Sequence, residues 1–198
     1  MTNKKKKQVV IVAGANGSGK TTFARKFLDV TKYEFLNADE IAKEMNPQDP
    51  VKVRIAAGKQ VINLLDQFID EGKNFVIEST LSGSFLEKHI EELKQKGFEI
   101  SLTFIFLGSK DLCIERIKSR VRQGGHNVPD EDVIRRFNRG LVKFWQAYRM
   151  QVDSYSIYFN NEFYDFKQVA QGRKEELEVL IQPLFNEFIE ILEEQDNE

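Results

Sequence analysis

The chain has 198 residues, of which 41% are hydrophobic and 30% are charged, a composition typical of a soluble globular protein with one core. Its formal net charge of -2 gives no overall positive potential, which argues against nucleic acid or an anionic membrane as a partner. A single cysteine, Cys113, excludes an internal disulfide and a thiolate metal cluster, and it suits a reducing cytoplasm.

The chain begins with a basic arm, residues 1–7, which ends in four consecutive lysines and is predicted to be disordered. The apolar run that follows is only a few residues long. It is shorter than the core of a secretory leader and far shorter than a membrane span. We therefore expect a cytoplasmic protein whose first apolar run is a buried strand.

Short apolar runs predict five strands, at residues 8–13, 33–37, 74–77, 100–107 and 155–160. The first and fourth contain nearly continuous apolar stretches, which is typical of strands covered on both faces in a parallel sheet. Because helical patterns separate the strands, the sequence predicts an α/β sandwich with right-handed crossovers. We expect a single domain over the whole chain, 1–198, with a frayed acidic tail at residues 193–198.

Three of the predicted helices have recognisable ends. One is expected to stop at Gly72, because glycine tolerates the left-handed conformation that closes many helices. Another is expected to begin at Ser84 with a capping box. The last covers residues 177–192, where Pro183 either kinks the helix or splits it in two.

A phosphate-binding loop follows the first strand. Residues 14–21 fit the pattern G-x-x-x-x-G-K-[ST] in full, after a buried strand and before a helical pattern. The glycines let backbone N–H groups turn toward phosphates at the positive end of the helix. Lys20 is expected to reach the β- and γ-phosphates of ATP, and the Thr21 hydroxyl to ligate Mg²⁺. The predicted nucleotide-binding residues are Gly14, Ala15, Asn16, Gly17, Ser18, Gly19, Lys20, Thr21 and Thr22.

The remaining sequence argues against two large classes of P-loop proteins. No Asn-Lys-x-Asp guanine motif is present, which argues against a GTPase. Residues 81–84, Leu-Ser-Gly-Ser, look like a fragment of an ABC ATPase signature, but they lack its second Gly and its Gln and directly follow a strand. A short chain with an arginine-rich second half favours a small-molecule kinase.

The arginine-rich segment, residues 116–143, holds eight basic side chains and three acidic ones. Arg116 and Arg120 are four residues apart on one predicted helix, and Arg135 and Arg139 repeat that spacing on the next. A Gly-rich polar loop joins the two helices. Two helices, a mobile tip and guanidiniums that neutralise a transferring phosphoryl group are typical of a kinase lid. The alternative is a pair of solvated helical faces with ordinary surface arginines.

Two acidic residues, Asp39 and Glu78, end predicted strands, where the ligands of doubly wound sheets bind. Phosphoryl transfer to a hydroxyl needs a carboxylate that takes or orients the proton. Either acid could be this base, and the other could order Mg²⁺ through water or hold the substrate. The alternative for Asp39 is a helix N-cap. Thr80 could hydrogen-bond the substrate or the Glu78 carboxylate.

Together these segments resemble the zeta toxin family of P-loop kinases, in particular its bacterial branch described as predicted ABC-type ATPases or kinases. The resemblance covers most of the chain. Its phosphate loop is generic, whereas the QGGHNVP stretch is specific to that branch. The matching segments are GANGSGKTT at 14–22, LNADEIA at 36–42, IESTLSG at 77–83, RVRQGGHNVP at 120–129 and IRRFNRGL at 134–141.

The resemblance implies an ATP-dependent kinase that uses Mg²⁺. Toxic members of the family phosphorylate the 3′-hydroxyl of UDP-N-acetylglucosamine. By this likeness Asp39 matches the catalytic base, and Glu78 and Thr80 match substrate-contacting positions. In the lid, arginines near Arg122 and near either Arg136 or Arg139 match the γ-phosphate clamps, and Arg120 is a further candidate for substrate binding. Asn37-Ala-Asp39 stands where the toxins have Asp-Gly-Asp, a difference that bears on the substrate more than on the chemistry.

The sequence thus predicts a P-loop NTPase three-layer sandwich of the nucleoside-monophosphate-kinase type, with about five parallel strands and a helical arginine lid. The predicted reaction moves the γ-phosphate of ATP to a hydroxyl of a small molecule such as a sugar nucleotide, and an antitoxin protein is a candidate partner. An alternative of a different class is a nucleotide-dependent switch or regulatory ATPase that acts on a protein partner. A kinase for RNA or nucleotide ends is a third reading, which salt-sensitive oligonucleotide binding would support.

Overall fold

The computed structural model describes residues 6–125, 127–161 and 165–196. Within these residues one sheet is formed by β1 (Lys7–Gly14), β2 (Glu34–Leu36), β3 (Phe75–Ser79), β4 (Phe98–Phe106), β5 (Ser154–Phe159), β6 (Lys167–Arg173) and β7 (Glu176–Val179). Its strand order is β2-β3-β1-β4-β5-β6-β7. The first five strands pair in parallel, whereas β6 and β7 are antiparallel.

Helices connect and cover these strands. They are α1 (Lys20–Leu28), α2 (Ala38–Met45), α3 (Arg54–Glu71), α4 (Phe85–Gln95), α5 (Lys110–Arg122), α6 (Asp130–Lys143), α7 (Arg149–Gln151) and α8 (Gln182–Asp196). A 3₁₀ turn (Pro50–Val53) precedes α3, and a π-helical turn (Phe144–Tyr148) follows α6. Gly72 ends α3 in the predicted left-handed conformation, but the Ser84 side chain makes no cap hydrogen bond, so the expected capping box does not form.

The central strand β1 shows why the sheet is covered on both faces. Val9 and Ile11 face a large core shared with α3, α4, α6 and α8. The alternate residues Val10 and Val12 face a smaller core under α1. This alternation follows from the two-residue period of a strand, and it confirms the predicted α/β arrangement of a mostly parallel sheet.

The prediction of about five strands is wrong for the edge of the sheet, where β6 and β7 form an additional hairpin. Both strands are largely polar, because an edge hairpin needs few apolar residues; β7 is mostly exposed, whereas Val169 and Ala170 of β6 are buried. Leu177 belongs to β7 and Leu180 precedes α8, so neither extends a helical face as predicted. Pro183 is the second residue of α8, in the first turn, where proline costs no backbone hydrogen bond.

Stacked aromatic rings hold α6 against the sheet. The Phe144 ring, just after α6, stacks on Phe104 of β4 with centroids 4.3 Å apart. Phe188 of α8 packs edge-on against both rings. All three side chains are buried, so the C-terminal end of α6 is packed firmly on the sheet.

Both predicted terminal segments lie partly outside the described residues. Residues 1–5 of the predicted basic arm are not described, and Lys7 already belongs to β1. The predicted acidic tail is helical as far as Asp196, where α8 ends, and residues 197–198 are not described. Among the described residues, none of the helices has the length and apolar character needed to cross a membrane.

Candidate active site

A cleft of about 890 Å³ opens where β1 and β3 end. One wall is the predicted phosphate loop with the start of α1, and α2, α3, α5 and α6 supply the others. The predicted site residues that line the cleft are Asn16, Gly17, Gly19, Lys20, Thr21, Thr22, Asp39, Glu78, Thr80, Arg120 and Arg136. The fold therefore brings the loop, both carboxylates and two lid arginines together at one edge of the sheet.

The phosphate loop requires glycine at two positions. Gly17 and Gly19 have φ angles of 83° and 93°, which side chains disfavour. A Cβ atom on Gly17 would lie 2.8 Å from the Cys113 carbonyl oxygen, and one on Gly19 would lie 2.6 Å from Asn160 Nδ2. The loop is thus pressed between α5 and the end of β5, and larger residues would displace it.

Lys20 begins α1 and points back into the loop. Its Nζ donates to the Ala15 carbonyl oxygen at 2.8 Å. Burial lowers the pKa of Lys20, while the nearby carboxylates of Glu78 and Asp39 act in the opposite direction. A buried ammonium with few partners is suited to bind a strongly anionic ligand such as a triphosphate.

Glu78 lies beside the start of α1. The Thr21 hydroxyl donates to Glu78 Oε2 at 3.1 Å. Burial raises the pKa of Glu78, and the Lys20 ammonium partly opposes this shift. The Asn37 side chain also favours the ionised carboxylate, but the buried oxygen Oε1 accepts no well-aligned hydrogen bond from the described residues. A hydroxyl and an unsatisfied carboxylate oxygen side by side are the hard oxygen donors that Mg²⁺ prefers, so the residues present fit a magnesium ion or its bound water.

Asp39 lies in the first turn of α2 and is not its N-cap. Asn37 is the cap, since its Oδ1 accepts from the backbone N–H groups of Asp39 at 2.8 Å and Glu40 at 3.2 Å. The N-cap alternative for Asp39 is therefore wrong. The Asp39 side chain is exposed and lines the cleft. The sequence analysis missed the role of Asn37, although an Asn just before a helical pattern is a common capping signal.

Two further residues that the sequence analysis did not assign to the loop support it. Asn160, just after β5, donates from Nδ2 to the Ser18 carbonyl oxygen at 2.8 Å. Arg116 of α5 donates to the carbonyl oxygens of Asn160 and Asn161, each at 2.8 Å, and to that of Gly17 at 3.4 Å. Arg116 is buried, so it acts as a structural brace of the loop. Arg116 contacts residues more than forty positions away, and the spacing of arginines along the sequence cannot reveal such contacts.

The four predicted lid arginines fall into two groups. Arg136 of α6 donates to Asn16 Oδ1 in the phosphate loop at 3.1 Å, and Arg120 of α5 also lines the cleft. Arg122 and Arg139 are exposed and do not line it. The spacing along the chain could not separate these groups, because the face that a helix turns toward the cleft depends on how the helix packs on the sheet. His126, in the predicted tip of the lid, lies outside the described residues.

Thr80 lines the cleft just after β3. Its hydroxyl lies 2.8 Å from the Ser82 hydroxyl, whereas the hydroxyl bonded to Glu78 belongs to Thr21. The helix α6 comes close at this point, since a Cβ atom on Gly140 would lie only 2.3 Å from the Thr80 carbonyl oxygen. Thr80 therefore marks the place where the lid helix and the sheet edge meet.

The wall formed by α3 was not predicted to belong to the site. Ile55, Gly58, Lys59, Val61 and Ile62 all line the cleft. The sequence analysis assigned no site residue to this helix. The available signal was the pair Ile55 and Ile62, since large apolar side chains at solvated helix positions often mark a binding surface.

Comparison with known proteins gives one family match and one curated relative. The sequence model of the zeta toxin family, described as "Zeta toxin", matches residues 1–169. An uncharacterized protein of Haemophilus influenzae is 34% identical over 128 residues, which are 65% of this chain and 90% of that protein.

Among solved structures, the complex AvrRxo1-ORF1:-ORF2 with ATP contains a chain with a TM-score of 0.75 and 14% identity, covering 94% of this chain and 64% of that chain. The present chain thus spans just under two thirds of that protein. The PezAT chromosomal toxin-antitoxin system of Streptococcus pneumoniae gives a TM-score of 0.65 at 18% identity, covering 98% of this chain and 87% of that chain. At these identities the likeness is one of fold.

Proposed function

The chain belongs to the zeta toxin family and has the fold of P-loop kinases, and on this premise we propose that it is an ATP-dependent phosphotransferase. It transfers the γ-phosphate of ATP to a hydroxyl group of a small molecule, with UDP-N-acetylglucosamine or another sugar nucleotide as the candidate acceptor. The chain acts as a single kinase domain, with residues 116–143 as its lid.

One observation carries this proposal. A single cleft holds the phosphate-loop Lys20, the carboxylate of Asp39 and the guanidinium of Arg136, which come from three different elements. Phosphoryl transfer needs these three groups: a cation on the transferred phosphate, a base for the acceptor hydroxyl and a second cation that closes from the other side. A protein that only binds nucleotide has no need of the second and third.

ATP binds with its phosphates on the loop from Gly14 to Thr22. Lys20 leaves the Ala15 carbonyl oxygen to contact the β- and γ-phosphates, and Arg136 leaves Asn16 to contact the γ-phosphate. Both cations already lie beside the loop, so each exchanges a loop oxygen for a phosphate oxygen by a local side-chain movement. Arg120, which lies on α5, neutralises further negative charge of the phosphates.

The Thr21 hydroxyl and, directly or through water, Glu78 would hold a magnesium ion. The bound ion would neutralise charge on the β- and γ-phosphates. The observation that favours this assignment is the buried Glu78 Oε1, which accepts no well-aligned hydrogen bond within the described part of the chain.

Asp39 accepts the proton of the acceptor hydroxyl. The side chain is exposed to the cleft, and the Asn37 cap holds the backbone of the helical turn that carries it, so the carboxylate is accessible to an acceptor hydroxyl. Thr80 and Glu78 lie on the same side and orient the acceptor.

A protein that covers the cleft is the candidate partner. The likeness to a chain from a toxin-antitoxin system and to a chain solved in complex with a second protein supports this part of the proposal. An antitoxin would block the site by occupying the space between α3 and α6.

The test is ATP consumption with Mg²⁺ across sugar nucleotides, nucleosides and amino sugars, with products resolved by mass and Lys20→Ala as the inactive control. We expect faster ATP consumption with one acceptor class and a product heavier by one phosphate. ATP binding without a phosphorylated product from any acceptor would contradict the proposal and favour a regulatory ATPase acting on a protein partner.

A further inference from the structure

Two groups of polar side chains connect α3 to α4 outside the cleft. In one, Lys96 Nζ donates to Asp70 Oδ1 at 3.0 Å. In the other, one turn earlier on α3, His89 Nε2 lies 3.2 Å from Asp66 Oδ1, and Glu92 follows His89 by one turn on α4. The ligand atoms of Asp66, His89 and Glu92 all lie within 4.8 Å of one another, and we term these residues the α3–α4 triad.

The orientation of the His89 ring turns its outer nitrogen toward the acid. His89 Nδ1 lies 2.8 Å from the Phe85 carbonyl oxygen, which can only accept a hydrogen bond, so Nδ1 carries a proton. In the neutral ring Nε2 then has a lone pair, which faces the lone pairs of Asp66 Oδ1. Two such acceptors repel each other unless a proton or a cation lies between them. Histidines that bind metal ions commonly have this arrangement, with the other ring N–H held by a backbone carbonyl oxygen.

The two groups of side chains also differ in charge. The pair of Lys96 and Asp70 is neutral, because the ammonium balances the carboxylate. The α3–α4 triad brings two carboxylates to one imidazole. Lys96 also interacts with Glu92, but it is already paired with Asp70. A protonated His89 would balance one of the two negative charges, whereas a divalent cation would balance both.

The distances and the ligand types suit a zinc-like ion. Zinc bonds of about 2.0–2.1 Å at tetrahedral angles place a nitrogen and an oxygen ligand about 3.3 Å apart, close to the 3.2 Å between His89 Nε2 and Asp66 Oδ1. An imidazole nitrogen beside two carboxylates suits Zn²⁺ better than Mg²⁺, which prefers oxygen ligands. Because the three ligand atoms are within 4.8 Å of one another, rotation of the Glu92 side chain is enough to bring it to the same ion.

We propose that the α3–α4 triad binds one divalent transition-metal ion such as Zn²⁺, with water as the fourth ligand. The ion links α3 to α4 and takes no part in phosphoryl transfer, since none of the three residues lines the cleft. The site therefore does not depend on the proposed function. The alternative for the same residues is an ion pair between a protonated His89 and Asp66.

Calorimetric titration of the metal-free whole chain with ZnCl₂ tests the site. An excess of MgCl₂ is present throughout, so that the oxygen ligands beside the phosphate loop are occupied by Mg²⁺. We expect one Zn²⁺ to bind per chain with a Kd below about 100 μM. The only cysteine, Cys113, is buried and does not compete for the ion.

Two variants each remove one ligand, His89→Gln and Asp66→Asn. Each is expected to weaken Zn²⁺ binding at least about tenfold. Asp66 is exposed, so Asp66→Asn decides the question should His89→Gln fail to fold, which circular dichroism checks. Asp70→Asn is the matched control on α3, and His126→Gln replaces the only other histidine of the chain. Both controls should keep the affinity within about twofold.

Three results would overturn the metal site. The first is a wild type without measurable Zn²⁺ binding, as an ordinary ion pair of His89 and Asp66 predicts. The second is an unchanged affinity in a folded His89→Gln or in Asp66→Asn. The third is an equal loss in Asp70→Asn or His126→Gln. Phosphoryl transfer is assayed separately, so a kinase that binds no Zn²⁺ would refute only the metal site, and Zn²⁺ binding without transfer would refute only the kinase.

Discussion

The two walls of the cleft differ in how complete they are. On the phosphate-loop side, Asn16 and Ser18 are buried, and Arg116, Arg136 and Asn160 bond to the loop from three separate elements. On the α3 side, Ile55 has 71% of its surface exposed. The loop side is built to hold a group common to all ATP-using enzymes, so the fold can shape it in advance. The α3 side lacks contacts that only a specific ligand would supply.

The largest effect is expected for Asp39→Asn. This variant sharpens the contrast between the two walls, because it removes the proposed catalytic base and leaves the phosphate loop unchanged. The amide cannot accept the acceptor proton, so kcat should fall by about 10³- to 10⁴-fold, while ATP binds with unchanged affinity. Steady-state kinetics and ATP calorimetry measure the two effects. Normal turnover in this variant would remove Asp39 from the reaction.

A smaller loss is expected for Arg136→Ala, which removes the contact between the lid and the loop. Loss of one guanidinium on the transferring phosphate should lower kcat by about 10²- to 10³-fold. Arg139→Ala is the matched control, because Arg139 lies on the same helix but is exposed and outside the cleft. An equal fall of kcat in both variants would show that the contact of Arg136 with the loop has no special role in transfer.

Below these effects comes the pH dependence set by Glu78. Burial raises the pKa of Glu78 above the ordinary value of 4.5. Its oxygen Oε2 accepts a hydrogen bond from the Thr21 hydroxyl. If catalysis needs the ionised form, kcat/KM should fall about tenfold per pH unit as the pH drops through this raised pKa. In Glu78→Gln the fall of kcat/KM at the acid end of the pH profile should move to lower pH. An unchanged profile would show that another group causes the fall.

The smallest effect is expected for Asn160→Ala, which loosens the loop wall itself. The Ser18 carbonyl oxygen loses a buried hydrogen bond, so the free energy of unfolding should fall by about 1–3 kcal/mol, with weaker ATP binding. Asn161→Ala is the control. Among the described residues its exposed side chain accepts only a long hydrogen bond, from the Gly108 N–H at 3.4 Å, and its backbone carbonyl oxygen still accepts from Arg116. Urea denaturation measures both. A greater loss in the control would contradict the bracing role of Asn160.

Much of the fold and part of the site could be predicted because their signals are local. The parallel strands were visible as apolar runs, and their carboxyl ends located Asp39 and Glu78 at the cleft. The edge hairpin was missed for a physical reason. Its strands are largely polar and β7 is mostly exposed, so the pattern around Leu177 resembled one face of a helix. Asn160 is at the end of a predicted strand, as Asp39 and Glu78 are. The argument that polar residues at strand ends lie at the ligand site was applied only to acids, and its extension to amides would have identified Asn160.

The sequence by itself determined the phosphate loop, the order of the parallel strands and helices, and the acids at the strand ends. Each of these depends on residues that are neighbours in the chain. Only the tertiary structure decided that Arg136 faces the loop while Arg139 faces water, that Arg116 braces the loop, and that α3 turns Ile55 toward the cleft. These directions follow from how whole helices pack on the sheet, and side-chain spacing along one helix leaves its rotation about its own axis undetermined.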